Sequence, residues 1–306
     1  MKKTIFRMIL AHVLLAVLVV VVCLAPQAKT PEGRYSFLTA IAVIEGLFLL
    51  SIFKQKRKGE IGTGAFDIIM LVWVLLLIWE VVVNVLRMAH PVLVPAPENV
   101  FDTFRLRWKD MLINIGYSMQ LLIFGTMLGL ALAVFLGLFC GWNKRLKAFA
   151  APIAHVMAPI PAVVLSPYLV AIMPTFRSAS ALVVLIGVFW PQFIATINRV
   201  SSVEPQILDS ARMLGLSQSA MLFKVLLPYL LPGTLMGLRV TLTTSVLMLN
   251  FAELMGASHG MGYFIMNSIT YANYTHAVAG ILVIGIVVTL LNMLVGMIQK
   301  KFIKWH

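Results

Sequence analysis

Glu204-Pro205-Gln206-Ile207-Leu208-Asp209-Ser210-Ala211-Arg212-Met213-Leu214-Gly215 is followed by nine residues, Leu216 to Lys224, and then by Val225-Leu226-Leu227-Pro228. This polar break separates two long apolar runs. Pro205 suits a first helical turn, where its missing N–H has no partner to lose. Ile207, Leu208, Ala211 and Leu214 fall on one stripe at helical spacing. Gly215 stands where a helix ends in a left-handed residue. Ser217 is placed to cap a second helix running to Val225, and Pro228 is expected to stop that helix and redirect the chain. The product is a helix–glycine–helix elbow whose apolar stripe can enter a groove on another protein. The plainer alternative is an amphipathic loop lying on the bilayer surface.

The runs on either side set the class. The chain has 306 residues, 61% of them hydrophobic and only 11% charged, with a mean hydropathy of +0.97. Apolar runs near the bilayer span of about 20 residues imply a helical protein that crosses the membrane several times. Eight spans are expected, near 6–26, 37–53, 67–87, 112–140, 150–173, 179–198, 230–254 and 276–299. The net charge of +13 does not indicate nucleic acid, because the basic residues cluster at the ends of spans. With both termini inside, sixteen of the 24 Lys and Arg face the cytoplasm. The breaks 54–66, 141–149 and 199–228 are then cytoplasmic. The segment 87–109 reads as the longest external loop and carries four basic residues.

The run from Ile9 to Leu24 is longer than a usual signal core, so a retained first helix is expected. Cys23 and Cys140 sit in apolar runs and read as buried small hydrophobes. His90-Pro91-Val92-Leu93-Val94-Pro95-Ala96-Pro97 cannot be regular helix. It is taken as the joint between a three-helix part, 1–93, and a five-helix core, 94–306.

The spacing of the polar break resembles the cytoplasmic signature of ABC importer permeases: E-A-A, three residues, G, nine residues, I-x-L-P. Here Asp209-Ser210-Ala211 stands for E-A-A, Gly215 for the glycine, and Val225, Leu227 and Pro228 for I, L and P. Val94-Pro95-Ala96-Pro97 resembles the Leu-Pro-x-Pro segment before the core of sulfonate-, taurine- and nitrate-type permeases. Ile160-Pro161 with Leu165-Ser166-Pro167 resembles their Pro-rich second core helix. Ala252-Glu253, Gly256 and His259-Gly260-Met261-Gly262-Tyr263 resemble their Ala-Glu and Gly-Leu-Gly-Tyr turn. Val170-Ala171-Ile172-Met173-Pro174 departs from a Trp-Phe-Gly common in the family, and three N-terminal spans stand where one is usual.

The resemblance implies an all-α, polytopic membrane permease with a five-helix type I importer core. It implies an inner-membrane location, a permease dimer, a cytoplasmic ATPase subunit that binds the elbow and all the ATP, and an external solute-binding protein. No G-x-x-x-x-G-K-[S/T] phosphate loop is present in the sequence, so no cofactor or enzymatic role is expected of this chain. The implied cargo is a small anionic solute.

Ionisable residues within spans are candidates for function. Glu253 shares a helix face with Asn250. It either lines the pathway or holds the outer gate turn, Gly256–Tyr263, by accepting backbone N–H bonds; the plainer alternative is a hydrogen bond between helices. The turn residues Gly260 and Gly262 are candidates with it. Glu80 and Asn84 form another one-turn pair, read as packing. The proline-broken stretch from Pro159 through Pro161 to Pro167 is expected to face the pathway or a neighbouring core helix. The six histidines show no metal-ligand spacing. Two rival classes remain. A self-sufficient secondary transporter or channel would show repeated halves, and an intramembrane enzyme would show paired catalytic groups. A copurifying ATPase separates the permease reading from both.

The charge count predicts that cysteines introduced at Lys56 and Gln218, in a background without Cys23 and Cys140, resist impermeant thiol reagents in intact cells. Ready labelling at both positions would contradict the eight-span orientation.

Overall fold

The structure is a computed structural model and describes residues 2–25, 31–57, 62–90 and 92–302. Most of these residues are helical, and none of them forms a strand. Seven helices are long and apolar enough to cross a membrane, and eight spans result if one bent pair counts as a single span. The eight expected spans correspond to these.

The chain packs as two units, Met1–Asp110 with Asn267–Leu282, and Met111–Met266 with Val283–His306. In the first unit, α1 (Lys2–Leu24), α2 (Pro31–Arg57) and α3 (Gly64–Glu80) surround Leu18, Phe37, Phe48, Phe66 and Trp73. Their polar groups are paired across helices. Arg7 donates to Asp67 at 2.8 Å, and His12 lies 3.2 Å from Glu45. Past α3 the helix widens into a π turn, Val81–Val85. There Asn84 donates to Glu80 at 2.9 Å and to Glu98 at 2.7 Å, all three being buried. This matches the packing role expected of Glu80 and Asn84.

The stretch before Pro97 is non-helical, as its prolines require. Helix α4 (Pro97–Trp142), however, begins fifteen residues before the expected span at 112. Most of what reads as an external loop is therefore helix. Pro97 starts it without losing a bond, and Phe101 stacks on Phe37 of α2 at 5.1 Å between ring centroids. Asp102 accepts from Ser36 at 2.7 Å and from Arg105 at 2.8 Å, and Arg107 pairs with Asp110 at 2.7 Å. Two of the four basic residues in this segment thus have local carboxylates. The helix kinks at Arg107 (φ −115°, ψ 16°).

In the second unit the remainder of α4 packs on α7 (Phe176–Ser201) through glycines four residues apart. A methyl at Gly125 would meet the Ala181 carbonyl oxygen at 2.9 Å, and one at Gly129 the Leu185 oxygen at 2.8 Å. Helix α5 (Lys144–Met157) is capped by Asn143 and joins α6 (Ser166–Ile172) through a 3₁₀ turn, Ala162–Leu165. The pair bends by 79°, at the proline cluster that suggested a broken helix. Ala162, Ser166 and Leu169 turn inward, while Pro161 and Pro167 lie exposed on the opposite side. Cys140 packs beside Ala133 and Phe193, whereas Cys23 is exposed rather than buried.

The elbow comprises α8 (Pro205–Met213) and α9 (Gln218–Ala220), which continues through a π turn, Met221–Leu226, into α10 (Leu227–Leu254). Pro228 therefore does not stop the second helix, contrary to expectation; Gln218–Leu254 runs as one helix. The widened turn precedes the pyrrolidine ring and relieves its clash with the carbonyl four residues back. Helices α11 (Met261–Thr270) and α12 (Tyr274–Phe302) complete the chain.

The shared amide at Asn84 gives a stability prediction. Asn84→Ala leaves two buried carboxyl groups without their common donor. An unmet buried group costs about 1–3 kcal/mol, so the thermal midpoint of the purified protein should fall by several degrees. An unchanged midpoint would show that this contact carries no net stability.

Candidate functional site

Two constructions in the second unit carry the candidate residues. The first is the elbow. Its local geometry matches the sequence: Pro205 occupies the first turn of α8, Gly215 has φ +69°, and Ser217 Oγ accepts the Ala220 N–H at 3.3 Å. Nothing lies within 4 Å of a methyl built at Gly215, so the glycine is required by backbone conformation alone.

The apolar stripe is divided. Ala211 is buried, and Ile207 and Leu208 pack with it against Leu138, Val200, Leu226 and Leu230. These three residues anchor the elbow to its own chain and are not free to enter a partner's groove. The reason is spacing: α8 is short, and its inward face is consumed by the helices it joins. Met213 and Leu214 stay outside, at 90% and 78% exposure. Asp209 and Ser210 are exposed; Asp209 accepts from Arg212 at 3.0 Å. With both side chains 63% exposed, such a pair is worth about 0–1 kcal/mol. Val225 and Leu227 are half-buried against the same cluster, and Pro228 is exposed.

The second construction surrounds Glu253, near the end of α10 and 1% exposed. Ser118 Oγ of α4 donates to its Oε1 at 2.7 Å, and the Gly262 N–H donates to Oε2 at 2.8 Å. Ser118 Oγ also accepts the Met261 N–H at 2.9 Å, and Asn114 Oδ1 accepts the Gly260 N–H at 2.8 Å. One carboxylate and two polar side chains of α4 thus receive three successive backbone N–H groups of the Gly260–Gly262 turn. Leaving any of these buried groups unmet would cost about 1–3 kcal/mol.

Gly260 lies at φ +119° with its Cα against the Glu253 carboxylate. At Gly262 a methyl would meet the Asn250 carbonyl oxygen at 2.5 Å. Asn250 itself donates to the Val246 carbonyl at 2.8 Å and lines a small pocket with Ile115, Ser118, Met261 and Ile284. It does not bond to Glu253, although both lie on one helix face. The carboxylate makes both contacts anticipated for it, to the turn and to a second helix, and it is enclosed rather than facing open space.

Leu214 belongs to the expected stripe, whereas Met213, Asn114 and Ser118 are absent from the sequence-derived candidates. The last two had a legible signal, a polar pair at i, i+4 within an apolar span. Pro161 and Pro167 belong to neither construction. Among the described residues, no group of three His, Cys, Asp or Glu side chains is arranged to hold a metal ion.

Residues 129–305 match the family model described as the binding-protein-dependent transport system inner membrane component. The chain is 27% identical to a putative aliphatic sulfonates transport permease protein, SsuC of Bacillus subtilis, over 82% of this chain and 92% of that protein. It is 25% identical to the taurine transport system permease protein TauC of Escherichia coli, over 82% and 91% of the two chains. It is 27% identical to the nitrate import permease protein NrtB of Leptolyngbya laminosa, over 62% and 68%. In fold it is similar to a chain of the MetNI methionine ABC transporter solved in inward-facing form. That match has a TM-score of 0.53 at 20% identity, over 65% of this chain and 97% of the other.

The cage around Glu253 predicts the effect of one methyl. Gly260→Ala both strains a left-handed residue and pushes on the carboxylate. The variant should unfold several degrees below wild type, and a cysteine placed at Ser258 should become faster to label. Wild-type values for both measurements would mean that the turn does not depend on this cage.

Proposed function

The chain belongs to the family of binding-protein-dependent transport system inner membrane components, and from that premise we propose how it works as the permease subunit of an ABC importer. The cargo is a small anionic solute of the sulfonate, taurine or nitrate kind, in line with the names of its relatives. Two copies of the chain enclose the pathway, both termini face the cytoplasm, and a solute-binding protein delivers cargo from outside. ATP is bound and hydrolysed by separate cytoplasmic subunits; no bond chemistry falls to this chain.

The observation that carries this reading is the elbow, with its apolar tip exposed and its base packed. Met213 and Leu214 present two large side chains at the turn. Burying such a side chain in a partner's groove stabilises a complex by about 1.5–3 kcal/mol, more than the exposed Asp209–Arg212 pair can supply. The base of the elbow touches Leu138 of α4, Val200 of α7 and Leu230 of α10. A displacement imposed at the tip is therefore delivered to three membrane helices together. Closure of the ATPase pair around ATP would move the two elbows and open the pathway to alternate sides. At the far end of α10, the Glu253 cage would hold the outer turn in register with α4.

Copurification with the cognate ATPase tests the proposal. Leu214→Asp should abolish it while leaving membrane insertion intact. Gly215→Val should weaken it, because a β-branched residue at φ +69° costs about 1–2 kcal/mol and re-aims the tip. Full ATPase recovery with both variants would refute docking through this elbow.

A further inference from the structure

Arg239 lies within the apolar helix Gln218–Leu254, and no hydrogen bond or ion pair joins its guanidinium to any described residue. The other arginine facing α10 is satisfied: Arg199 donates to Thr234 at 3.1 Å. Arg239 sits on the face of α10 that the protomer leaves open, with Met236, Val240, Thr244 and Leu247. Its guanidinium crosses Gly296 of α12, where a methyl would collide with Nη2. One turn along, Asn292 of α12 donates to Thr243 at 3.1 Å, and the Asn292 Oδ1 is buried without a partner. A polar seam therefore accompanies the charge between two otherwise apolar helices.

Among the described residues, no counter-charge pairs with Arg239. From residue 111 to residue 306 the sequence contains only three carboxylates, Glu204, Asp209 and Glu253. Glu204 and Asp209 belong to the elbow, and Asp209 is paired with Arg212. Glu253 is enclosed by its own bonds and lies fourteen residues along the helix, about 21 Å away. In the first unit, Glu45, Asp67, Glu80, Glu98, Asp102 and Asp110 already have partners. A second copy of the chain brings only the same set.

A guanidinium set within an apolar span that stays charged needs an anion or water beside it, even where the protomer itself leaves it exposed. We infer that Arg239 is an anion-binding residue of the translocation pathway, meeting a small oxyanion such as a sulfonate or nitrate as it passes. This rests on the permease reading and names the chemistry of its pathway. The planar fork of donors pairs with two oxygens of one anion, and the glycine at 296 leaves room for the guanidinium to lie flat. A lipid phosphate offers the same oxygens, so the two sources must be separated by experiment.

The test uses the full chain in nanodiscs, with Cys23 and Cys140 replaced by serine and Thr244→Cys as reporter. The probes are 2-sulfonatoethyl methanethiosulfonate, itself a sulfonate anion, and its trimethylammonium counterpart. With Arg239 present, the anionic probe should react faster relative to the cationic one by about tenfold over Arg239→Gln. Added ethanesulfonate should slow it, and Arg239→Lys should keep most of the preference, which also controls for folding. The preference should be the same in phosphatidylcholine and in phosphatidylglycerol nanodiscs. Three results would overturn the inference: no reaction with either probe, as for a lipid-facing thiol; an unchanged rate ratio in Arg239→Gln; or a preference abolished by phosphatidylglycerol, which assigns the arginine to a headgroup. Because no ATPase is needed, the outcome is independent of the copurification that tests the permease reading itself.

Discussion

The close approach of α4 to α7 is the constraint on which the second unit depends. Lipid tails are as apolar as leucine, so helices in a bilayer gain little from hydrophobic burial against one another and rely on packing. Gly125, Gly129, Ala133, Gly137 and Gly141 recur every four residues along α4. At Gly137 a methyl would lie 2.7 Å from Thr196 Cβ, and at Gly141 one would lie 2.8 Å from Val200 Cβ. The seam runs from the membrane interior to the end of α7 from which the elbow departs. At its other end α4 carries Asn114 and Ser118 to the Gly260–Gly262 turn. One helix contact thus sets the register between the two candidate functional regions.

The carboxylates buried inside the apolar spans follow a consistent rule. Each buried carboxylate meets a donor: Asn84 for Glu80 and Glu98, Ser36 and Arg105 for Asp102, Ser118 and the Gly262 amide for Glu253. Gln192 likewise donates to Thr241 at 2.8 Å between α7 and α10. Leaving such groups unmet in a low-dielectric interior is costly. Arg239, within the same apolar helices, has no hydrogen bond or ion pair to any described residue.

The elbow shows how a short segment can be stiff. Its first helix is fixed by three packed side chains, its reversal by one left-handed glycine, and its second helix by a serine cap and by continuity with α10. Each device is small, about 0.5–2 kcal/mol for a cap, but together they leave the tip no independent hinge. Motion at the tip must then be motion of the helices.

The sequence by itself determined the helical membrane class, the number and order of spans, the elbow with its glycine and cap, and the family resemblance. These follow from local rules: apolar run length, proline and glycine conformation, and residue spacing, all of which act along the chain. The kinked start of α4 was hidden because Glu98, Asp102, Arg105 and Arg107 read as loop polarity until Ser36, Asn84 and Phe37 appear beside them. The onward run of α10 past Pro228 was hidden because a π turn has no sequence rule strong enough to outweigh a proline. Only the tertiary structure decided which half of the elbow stripe is anchored and which is exposed, that Asn114 and Ser118 complete the Glu253 cage, and that Arg239 has no hydrogen-bond or ion-pair partner among the described residues. Those facts depend on which helices lie side by side, and contacts between residues more than a hundred positions apart leave no periodic mark on either segment.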